Sequence, residues 1–457
     1  MKFLFNLLKP PVHAPPISDK AEIAKQYKYW RMRIFYSMYI GYVFYYLTRK
    51  SVTFAMPSMI NDLGFTMSDM GILSSTLSIS YGISKFISGI LADKSNPRYF
   101  MAFGLILTGV CNIFFGLTSS LWLLAIIWGI NGLFQGWGWP PCARLLTYWY
   151  SQKERGKWWG TWSTAHSVGG FIIPIVAATI CSSALGWRYA LFIPGLLCIV
   201  MGFFLINRLR DTPQSMGLPS IEEFRGESYT HKEPPKGKNG EESSAKELLF
   251  HYVLRNKFIW SLAISYFFVY VTRAAINDWS QLYLMQTKSY SQLEAAFCAG
   301  FFEAGGIFGS LAAGFMSDRL FSGKRAPINI LFCCGIVVSV LAFWLCPYQS
   351  IALDSLLTFI IGFLIFGPQM LIGMATAELC HKKAAGTATG FIGLIAYIGA
   401  ASAGWPLGKI TDLWGWGGFF PIIALCGVIS ILALIPLWNV KPYSEEEIGG
   451  KLAPSSS

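Results

Sequence analysis

The sequence predicts an all-α membrane protein in which twelve transmembrane helices form two pseudo-symmetric six-helix bundles. Of its 457 residues, 54% are hydrophobic and only 13% are charged, whereas an average soluble protein carries about 25% charged residues. A membrane-spanning helix uses roughly 20 apolar residues, so about twelve such helices account for most of the apolar content. The 17 tryptophans suit helix ends that lie in two membrane interfaces. This composition excludes a soluble enzyme, a disordered chain and a disulfide-linked scaffold.

The twelve predicted spans fall into two groups of six. The first six lie near 33–56, 70–92, 99–117, 121–148, 158–181 and 189–207, and the second six lie near 258–285, 292–316, 328–346, 352–379, 386–410 and 417–439. The stretch between the groups is rich in charged residues, Pro, Gly and Ser, which predicts a solvated linker. The predicted domains are an N-terminal segment (1–32), a first bundle (33–207), the linker (208–257), a second bundle (258–439) and a tail (440–457).

Basic residues are unevenly distributed between the loops. The loops of one side carry Lys94, Arg98, Lys153, Arg155, Lys157, Arg319, Lys324, Arg325, Lys382 and Lys383, whereas those of the other side carry only Arg188 and Lys288. Because loops rich in Lys and Arg stay in the cytoplasm, we expect both termini and the linker to be cytoplasmic. The chain is then a multi-pass protein of the cell (inner) membrane. Its net charge of +12 is scattered over these loops, which argues against nucleic acid as a partner.

A short loop sequence occurs once in each half. Gly89-Ile90-Leu91-Ala92-Asp93-Lys94 follows the second span, and Gly314-Phe315-Met316-Ser317-Asp318-Arg319 follows the eighth. This turn resembles the signature loop of the major facilitator superfamily. The resemblance implies two six-helix bundles around a central substrate site, which alternate between inward-open and outward-open states. It also implies a conformational role for Asp93 and Asp318.

A second repeat lies inside the predicted membrane region. The first span contains Tyr42, Tyr46 and Arg49, and the seventh span repeats them as Tyr266, Tyr270 and Arg273 at one constant offset. The spacing i, i+4, i+7 places the three side chains on one face of each helix. Two equivalent helices are therefore predicted to present matching Tyr-Tyr-Arg faces to the pseudo-two-fold axis.

An arginine inside a membrane span costs about 2.5–3.5 kcal/mol on insertion scales, which calls for a partner or a function. Such an arginine could reach the membrane surface or pair with an acid, and Asp278 or Glu303 could serve Arg273 in this way. Arg49 has no acidic residue in its own span. A guanidinium binds phosphate oxygens through two parallel hydrogen bonds. A phosphomonoester is nearly a dianion at neutral pH. We therefore predict that Arg49 and Arg273 bind one phosphate group from both sides, while Asp278 and Glu303 balance charge within the second half.

Further motifs make the resemblance more specific. Tyr46-Leu47-Thr48-Arg49-Lys50, Asp93-Lys94-Ser95-Asn96-Pro97-Arg98, Gln135-Gly136-Trp137-Gly138-Trp139-Pro140-Pro141-Cys142, Trp162-Ser163-Thr164-Ala165-His166-Ser167 and Asp278-Trp279 are similar to segments of the organophosphate:phosphate antiporters. Arg273-Ala274-Ala275-Ile276-Asn277-Asp278-Trp279 and Phe366-Gly367-Pro368-Gln369-Met370 resemble the hexose-phosphate branch of that family. The resemblance runs from about Tyr27 to Pro442.

The resemblance implies a set of site residues. It makes Arg49 and Arg273 the substrate arginines and His166 the mid-membrane histidine, and it places around the ligand Tyr42, Tyr46, Tyr81, Lys85, Trp139, Trp162, Tyr270 and Tyr397. The glycerol-phosphate branch has a tyrosine where this chain has Phe366. From the residues alone, His166 could instead be satisfied by a neighbour, and Lys85 could extend to the membrane surface. We expect Asn277, Gln369 and Tyr397 to meet the sugar hydroxyls.

These features favour a secondary transporter that exchanges external hexose 6-phosphate, here glucose 6-phosphate, for internal inorganic phosphate. The alternative is a membrane sensor of hexose phosphate that signals to a histidine kinase, which the same branch also contains. The sequence has no phosphate-binding loop, metal-ligand spacing or nucleophile motif. We therefore expect no enzymatic activity and no cofactor, and a monomer in the bilayer as the working unit.

Overall fold

The computed structural model describes residues 8–440 apart from 10, 94, 227–249, 251–252, 322–323 and 380–384. Throughout these described ranges the regular secondary structure is helical. The first bundle contains α1 (Lys20–Leu63), α2 (Met67–Asp93), α3 (Pro97–Gly116), α4 (Leu121–Gln135), α5 (Trp139–Trp149), α6 (Gln152–Cys181) and α7 (Tyr189–Arg208). The chain then forms a short helix, α8 (Ile221–Arg225).

The second bundle contains α9 (Lys257–Lys288), α10 (Gln292–Leu320), α11 (Arg325–Leu345), α12 (Ile351–Glu378), α13 (Ala385–Ser402) and α14 (Trp405–Leu434). Helices α4 and α5 together make one crossing. The chain reverses inside α14 at Gly415, whose φ of 59° suits glycine, so that α13 with the start of α14 makes the eleventh crossing and the rest of α14 the twelfth. The predicted fold of twelve transmembrane helices in two bundles is confirmed.

Length and composition explain these crossings. In the described residues, nine stretches are long and apolar enough to cross a membrane, and the longest, Thr387–Leu437, holds two crossings. Helices α1 and α2 complete the set. With 44 residues, α1 is about 66 Å long, twice the roughly 30 Å of a bilayer core. Its first turns therefore project beyond the membrane on the side where both termini lie, which we call the terminal face. The opposite side is the far face.

Local signals set where the helices begin and end. Ser291 caps α10 by accepting from the Glu294 backbone N–H at 3.3 Å, and the Glu294 carboxylate accepts in return from the Ser291 N–H at 2.9 Å. Gly64 ends α1 with a φ of 66°. Gly305 and Gly309 of α10 allow close helix packing, because an added Cβ at either position would overlap the backbone of α12.

The start of the predicted linker is folded, which corrects the expectation of a solvated segment for residues 209–226. Leu209, Leu218 and Ile221 are buried on the terminal face of the first bundle. The Tyr27 hydroxyl, on the projecting part of α1, donates to the Pro219 carbonyl at 2.5 Å. The polar average composition of the segment gave no indication of these few buried apolar side chains. The remainder of the predicted linker up to Lys257 lies largely outside the described residues.

Cysteine labelling tests the predicted orientation. In a background without exposed native cysteines, Ser119→Cys in the far-face loop after α3 should react with a membrane-impermeant maleimide in intact cells. Ser243→Cys in the linker should react only after the cells are opened, because the basic loops hold the terminal face in the cytoplasm. Labelling of Ser243→Cys in intact cells would reject this topology.

Candidate functional site

A central cavity lies between the two bundles at the depth of the repeated arginines. Its volume is about 80 Å³, which is below the roughly 300–1,000 Å³ of typical small-molecule sites, so a ligand the size of a sugar phosphate requires the cavity to widen. The first bundle contributes polar side chains from α1 and α2, and the second from α9 and α13. The polar and aromatic side chains of the wall include Tyr46, Arg49, Lys50, Tyr81, Tyr270, Arg273, Asn277, Asp278 and Tyr397.

Two aromatic rings and one hydrogen bond hold the guanidinium of Arg49 in place. Its carbon Cζ lies 4.5 Å from the ring centre of Tyr46 and 4.4 Å from that of Tyr81, so two aromatic faces stabilise the charge. Its Nε donates to the Gln135 side-chain carbonyl at 3.1 Å. Its Nη2 is buried and has no hydrogen-bond partner among the described residues. Part of the guanidinium is therefore left for a ligand.

Arg273 occupies the equivalent place in the second bundle. Its Cζ lies 5.0 Å from the ring centre of Phe366 and 5.7 Å from that of Tyr270. Its Nε is buried without a hydrogen-bond partner in the described part of the chain. In the same ranges, neither Arg273 nor Arg49 has a carboxylate within 4 Å. The cavity therefore holds two unpaired guanidiniums, one from each bundle.

Asp278 pairs across the two bundles. Lys50 of α1 donates to its carboxylate at 2.6 Å, and the neighbouring Asn277 amide donates to the same oxygen at 3.1 Å. The expectation that Asp278 balances charge within the second half is therefore wrong. Lys50 follows Arg49 in α1, and its side chain reaches α9 of the other bundle.

Glu303 also lies against the other bundle. It is 2% exposed, and neither carboxylate oxygen has a hydrogen-bond partner among the described residues. A Cβ added to Gly170 of α6 would lie 2.7 Å from the Glu303 side chain, so this glycine makes room for it. Because Arg49, Lys50 and Arg273 outnumber Asp278 and Glu303, the region keeps surplus positive charge whether or not Glu303 is ionised.

Six predicted site residues lie outside the cavity wall: Tyr42, Lys85, Trp139, Trp162, His166 and Gln369. Five of them form an adjoining aromatic and basic layer. Ring centres are 5.0 Å apart for Tyr42 and Trp162, and 5.9 Å apart for His166 and Tyr46. Lys85 lies 5.5 Å from the ring centre of Tyr397 and 5.9 Å from that of Trp139. This layer is one side chain away from the cavity.

Phe366 and Gln369 of α12 lie close to the site in the second bundle. Phe366 stacks on His166 with ring centres 5.9 Å apart, so it fills the place between this histidine and Arg273. The backbone carbonyl of Gln369 accepts from the Tyr266 hydroxyl at 3.0 Å, and its side-chain Oε1 is buried without a partner in the described ranges.

The two loop aspartates lie far from the cavity, at the terminal face. Asp318 accepts from Arg325 at 2.6 Å, and Arg325 also pairs with Glu378 at 2.9 Å. These contacts tie together the ends of α10, α11 and α12 within one bundle. The side chain of Asp93 lies outside the described residues.

Sequence reasoning missed the polar network behind Arg49. The Gln135 amide donates to the Thr48 hydroxyl at 3.1 Å, and the Asn112 amide donates to the Thr48 carbonyl at 3.1 Å. All three side chains are fully buried. Buried amides in otherwise apolar spans are a usable signal, because polar groups at this depth need partners.

The comparisons with known proteins identify the family. The model of the Major Facilitator Superfamily matches residues 38–404. The chain belongs to this superfamily. The superfamily fold is shared with a bacterial homologue of the human lysosomal transporter Spinster, which superposes with a TM-score of 0.73 at 16% identity and covers 91% of this chain and 99% of that one.

Two close relatives place the chain in the hexose-phosphate branch of the organophosphate antiporters. One is a protein of Chlamydia trachomatis named "Probable hexose phosphate transport protein", which is 56% identical over 97% of this chain and 99% of its own length. Another is the "Membrane sensor protein UhpC" of Escherichia coli, which is 49% identical over 97% of this chain and 100% of its own length.

Removal of Asp278 tests the ion pair between the bundles. Asp278→Ala leaves Lys50 without a counter-charge in a poorly solvated place, so it should lower stability by up to about 3–5 kcal/mol. The double variant Lys50→Met/Asp278→Leu should recover most of this loss, since no unpaired charge remains. The thermal midpoint of the purified protein measures both effects. Glu223→Ala, at an exposed carboxylate, is the control, and an Asp278→Ala protein as stable as wild type would contradict the assignment.

Proposed function

We propose that the chain is a secondary transporter that exchanges glucose 6-phosphate for inorganic phosphate by alternating access. The supporting observation is a pair of arginines, one from each bundle, that line one cavity and keep buried N–H groups without a partner among the described residues. The name of the Chlamydia trachomatis relative supports a hexose phosphate as the substrate. On this proposal the chain works as a monomer in the cell (inner) membrane, with both termini in the cytoplasm.

The phosphate group binds between the arginines. The Nη2 of Arg49 and the Nε of Arg273 donate to its oxygens, and the planar guanidinium favours bidentate contacts. The aromatic rings beside each guanidinium keep it in place without competing for its N–H donors. The phosphoryl group is common to sugar phosphate and inorganic phosphate, so both ligands use the same contacts.

The remaining site residues surround the sugar and the path to it. Hydrogen-bonding groups for the sugar hydroxyls come from Asn277, Gln369 and Tyr397. The side-chain oxygen Oε1 of Gln369 is buried and has no partner among the described residues. Three tyrosines of the cavity wall lie beside the ligand: Tyr46, Tyr81 and Tyr270. The adjoining layer of Tyr42, Lys85, Trp139, Trp162 and His166 surrounds the path to it. Glu303 and Asp278 set the net charge of the region.

Obligatory exchange follows from the surplus charge. An empty cavity keeps unpaired positive charge in a low-dielectric environment, and this charge opposes closure of the bundles around it. A bound phosphate dianion offsets the charge and contacts both bundles. Because a ligand shifts an equilibrium only through its different affinity for the two states, the loaded protein changes orientation more readily than the empty one.

The contacts between the bundles indicate which part of the interface has to open. Among the described residues, every hydrogen bond between the bundles lies level with the cavity or between it and the far face. Asp412 of α14 accepts from the backbone N–H groups of Met67 at 3.0 Å and Ser68 at 2.9 Å, and so caps the first turn of α2. A Cβ added to Gly71 would lie 2.6 Å from the Gly404 carbonyl oxygen. Access from the far face requires that these contacts separate.

The second candidate function is a membrane sensor of hexose phosphate that signals to a histidine kinase. The full-length similarity to the Escherichia coli protein that bears the sensor name favours it. Binding site and fold would be the same in both cases. The difference lies in whether phosphate drives net movement of the sugar phosphate.

Lysine substitution tests the arginine pair. Arg49→Lys or Arg273→Lys keeps the charge but loses the bidentate fork, so each should weaken glucose 6-phosphate binding by about tenfold or more, the value of at least one charge-assisted hydrogen bond. The double variant should be no better than either single one. Titration calorimetry of the purified protein measures the affinity, with Arg188→Lys at the far face as the control. Normal binding by either single variant would reject the paired site.

A counterflow assay separates transporter from sensor. Vesicles that contain the purified protein and are preloaded with phosphate should accumulate radiolabelled glucose 6-phosphate, whereas vesicles without phosphate should take up almost none, because the empty site reorients poorly. Free glucose should neither compete nor accumulate, since it cannot neutralise the arginines. Binding of glucose 6-phosphate without phosphate-dependent uptake would overturn the transport proposal in favour of the sensor.

A further inference from the structure

Four arginines meet at the terminal face of the first bundle, away from the central cavity. We call Arg33, Arg98, Arg208 and Arg210 the arginine cluster. Arg33 of α1 donates to the Asn207 carbonyl at 3.2 Å, and Arg210 donates to the same carbonyl at 3.0 Å. Arg98 of α3 donates to the adjacent Ile206 carbonyl at 2.5 Å. The end of α7 therefore gathers guanidiniums from three parts of the chain.

The cluster has no counter-charge in the described structure. Within the described ranges, none of the four guanidiniums has a carboxylate within 4 Å. Other arginines of the same face do have one: Arg31 lies 2.6 Å from Glu154, and Arg144 lies 3.1 Å from Asp211.

Like charges are crowded within the cluster. Burial and then the nearby Arg98 and Arg33 lower the pKa of Arg210, as expected when positive charges approach one another. The Nε of Arg33 is also buried with no partner among the described residues. An anion at this place would relieve the repulsion and satisfy this donor.

Aromatic side chains place the cluster at the membrane surface. Arg208 donates to the Tyr36 hydroxyl at 3.2 Å, and its Cζ lies 5.3 Å from the ring centre of Phe204. Arg33 donates to the Tyr29 hydroxyl. Tyr29 and Tyr36 are 51% and 38% exposed and lie two turns apart on α1. Tyrosines at this spacing on an outward face are typical of the headgroup layer of a bilayer.

The helix surfaces below the cluster are apolar. Ile40 continues the outward face of α1 one turn deeper than Tyr36, and Phe203 of α7 is 61% exposed. An acyl chain can lie along these surfaces, whereas a free anion gains nothing from them. Positive charge above and apolar surface below are together complementary to a phospholipid.

We propose that the arginine cluster binds the phosphodiester headgroup of an anionic phospholipid in the leaflet at the terminal face. The guanidiniums of Arg98, Arg208 and Arg210 surround the phosphodiester, and the Nε of Arg33 donates to it. The lipid tails lie against the outward faces of α1 and α7. Free inorganic phosphate has the same headgroup chemistry but lacks the tails, so it is the competing source of the anion.

Native mass spectrometry of the full chain in detergent tests this site. With equal amounts of phosphatidylglycerol and phosphatidylcholine, the wild-type protein should retain phosphatidylglycerol preferentially. Arg208→Gln/Arg210→Gln should reduce that preference about tenfold, because basic side chains near a surface contribute additively to the binding of anionic lipid. Arg98→Gln provides an independent variant if the double variant does not fold. Arg225→Gln, which removes a paired charge from the same face, should leave the preference unchanged.

Four results would overturn the proposal. The first is equal retention of the two lipids by the wild-type protein. The second is an unchanged preference in folded variants of the cluster, and the third is an equal loss in the Arg225→Gln control. Inorganic phosphate that displaces phosphatidylglycerol at millimolar concentration would assign the cluster to the free anion instead. Because no sugar phosphate enters this assay, the outcome is independent of the transport proposal.

Discussion

Two guanidiniums, those of Arg49 and Arg273, have to stay charged and well positioned at the centre of a membrane protein, and no carboxylate of the described chain pairs directly with either. A close carboxylate would stabilise each arginine but would occupy its N–H groups. The protein instead uses neutral groups: ring faces beside both arginines and the Gln135 amide at Arg49. The buried amides around Thr48 belong to the same arrangement, since they fix the backbone that carries Arg49.

The sequence predicted the parts of the molecule that depend on a single helix. Span number, the repeat and the common face of Tyr46 and Arg49 follow from composition and a period of 3.6 residues. The partner of Asp278 could not be found in this way, because it lies on a helix of the other bundle and helical periodicity carries no information about which helices are neighbours. The same limit explains why His166 and Trp162 belong to a layer beside the cavity rather than to its wall.

Residues 209–226 show a different limit. Average composition describes this segment as polar, yet Leu209, Leu218 and Ile221 are enough to hold it on the first bundle. The average composition of a linker cannot reveal three apolar side chains whose packing surface exists only after the helices have assembled. As a result, the first bundle has a folded extension at the terminal face, which consists of the start of α1 and the chain after α7.

The cap that Asp412 places on α2 affects the apparent affinity for a ligand that arrives from one side of the membrane. The first backbone N–H groups of a helix carry partial positive charge and need acceptors. Here the acceptor belongs to the other bundle, so its contribution is lost whenever the far face opens. A ligand that arrives from the far face therefore binds a state that lacks this contribution, and its apparent affinity is reduced by the fraction of molecules in that state. On the proposed alternating access, a state open to the terminal face keeps this cap, so binding from that face does not carry this cost. One aspartate, remote from the cavity, would then make the apparent affinity depend on the direction of approach.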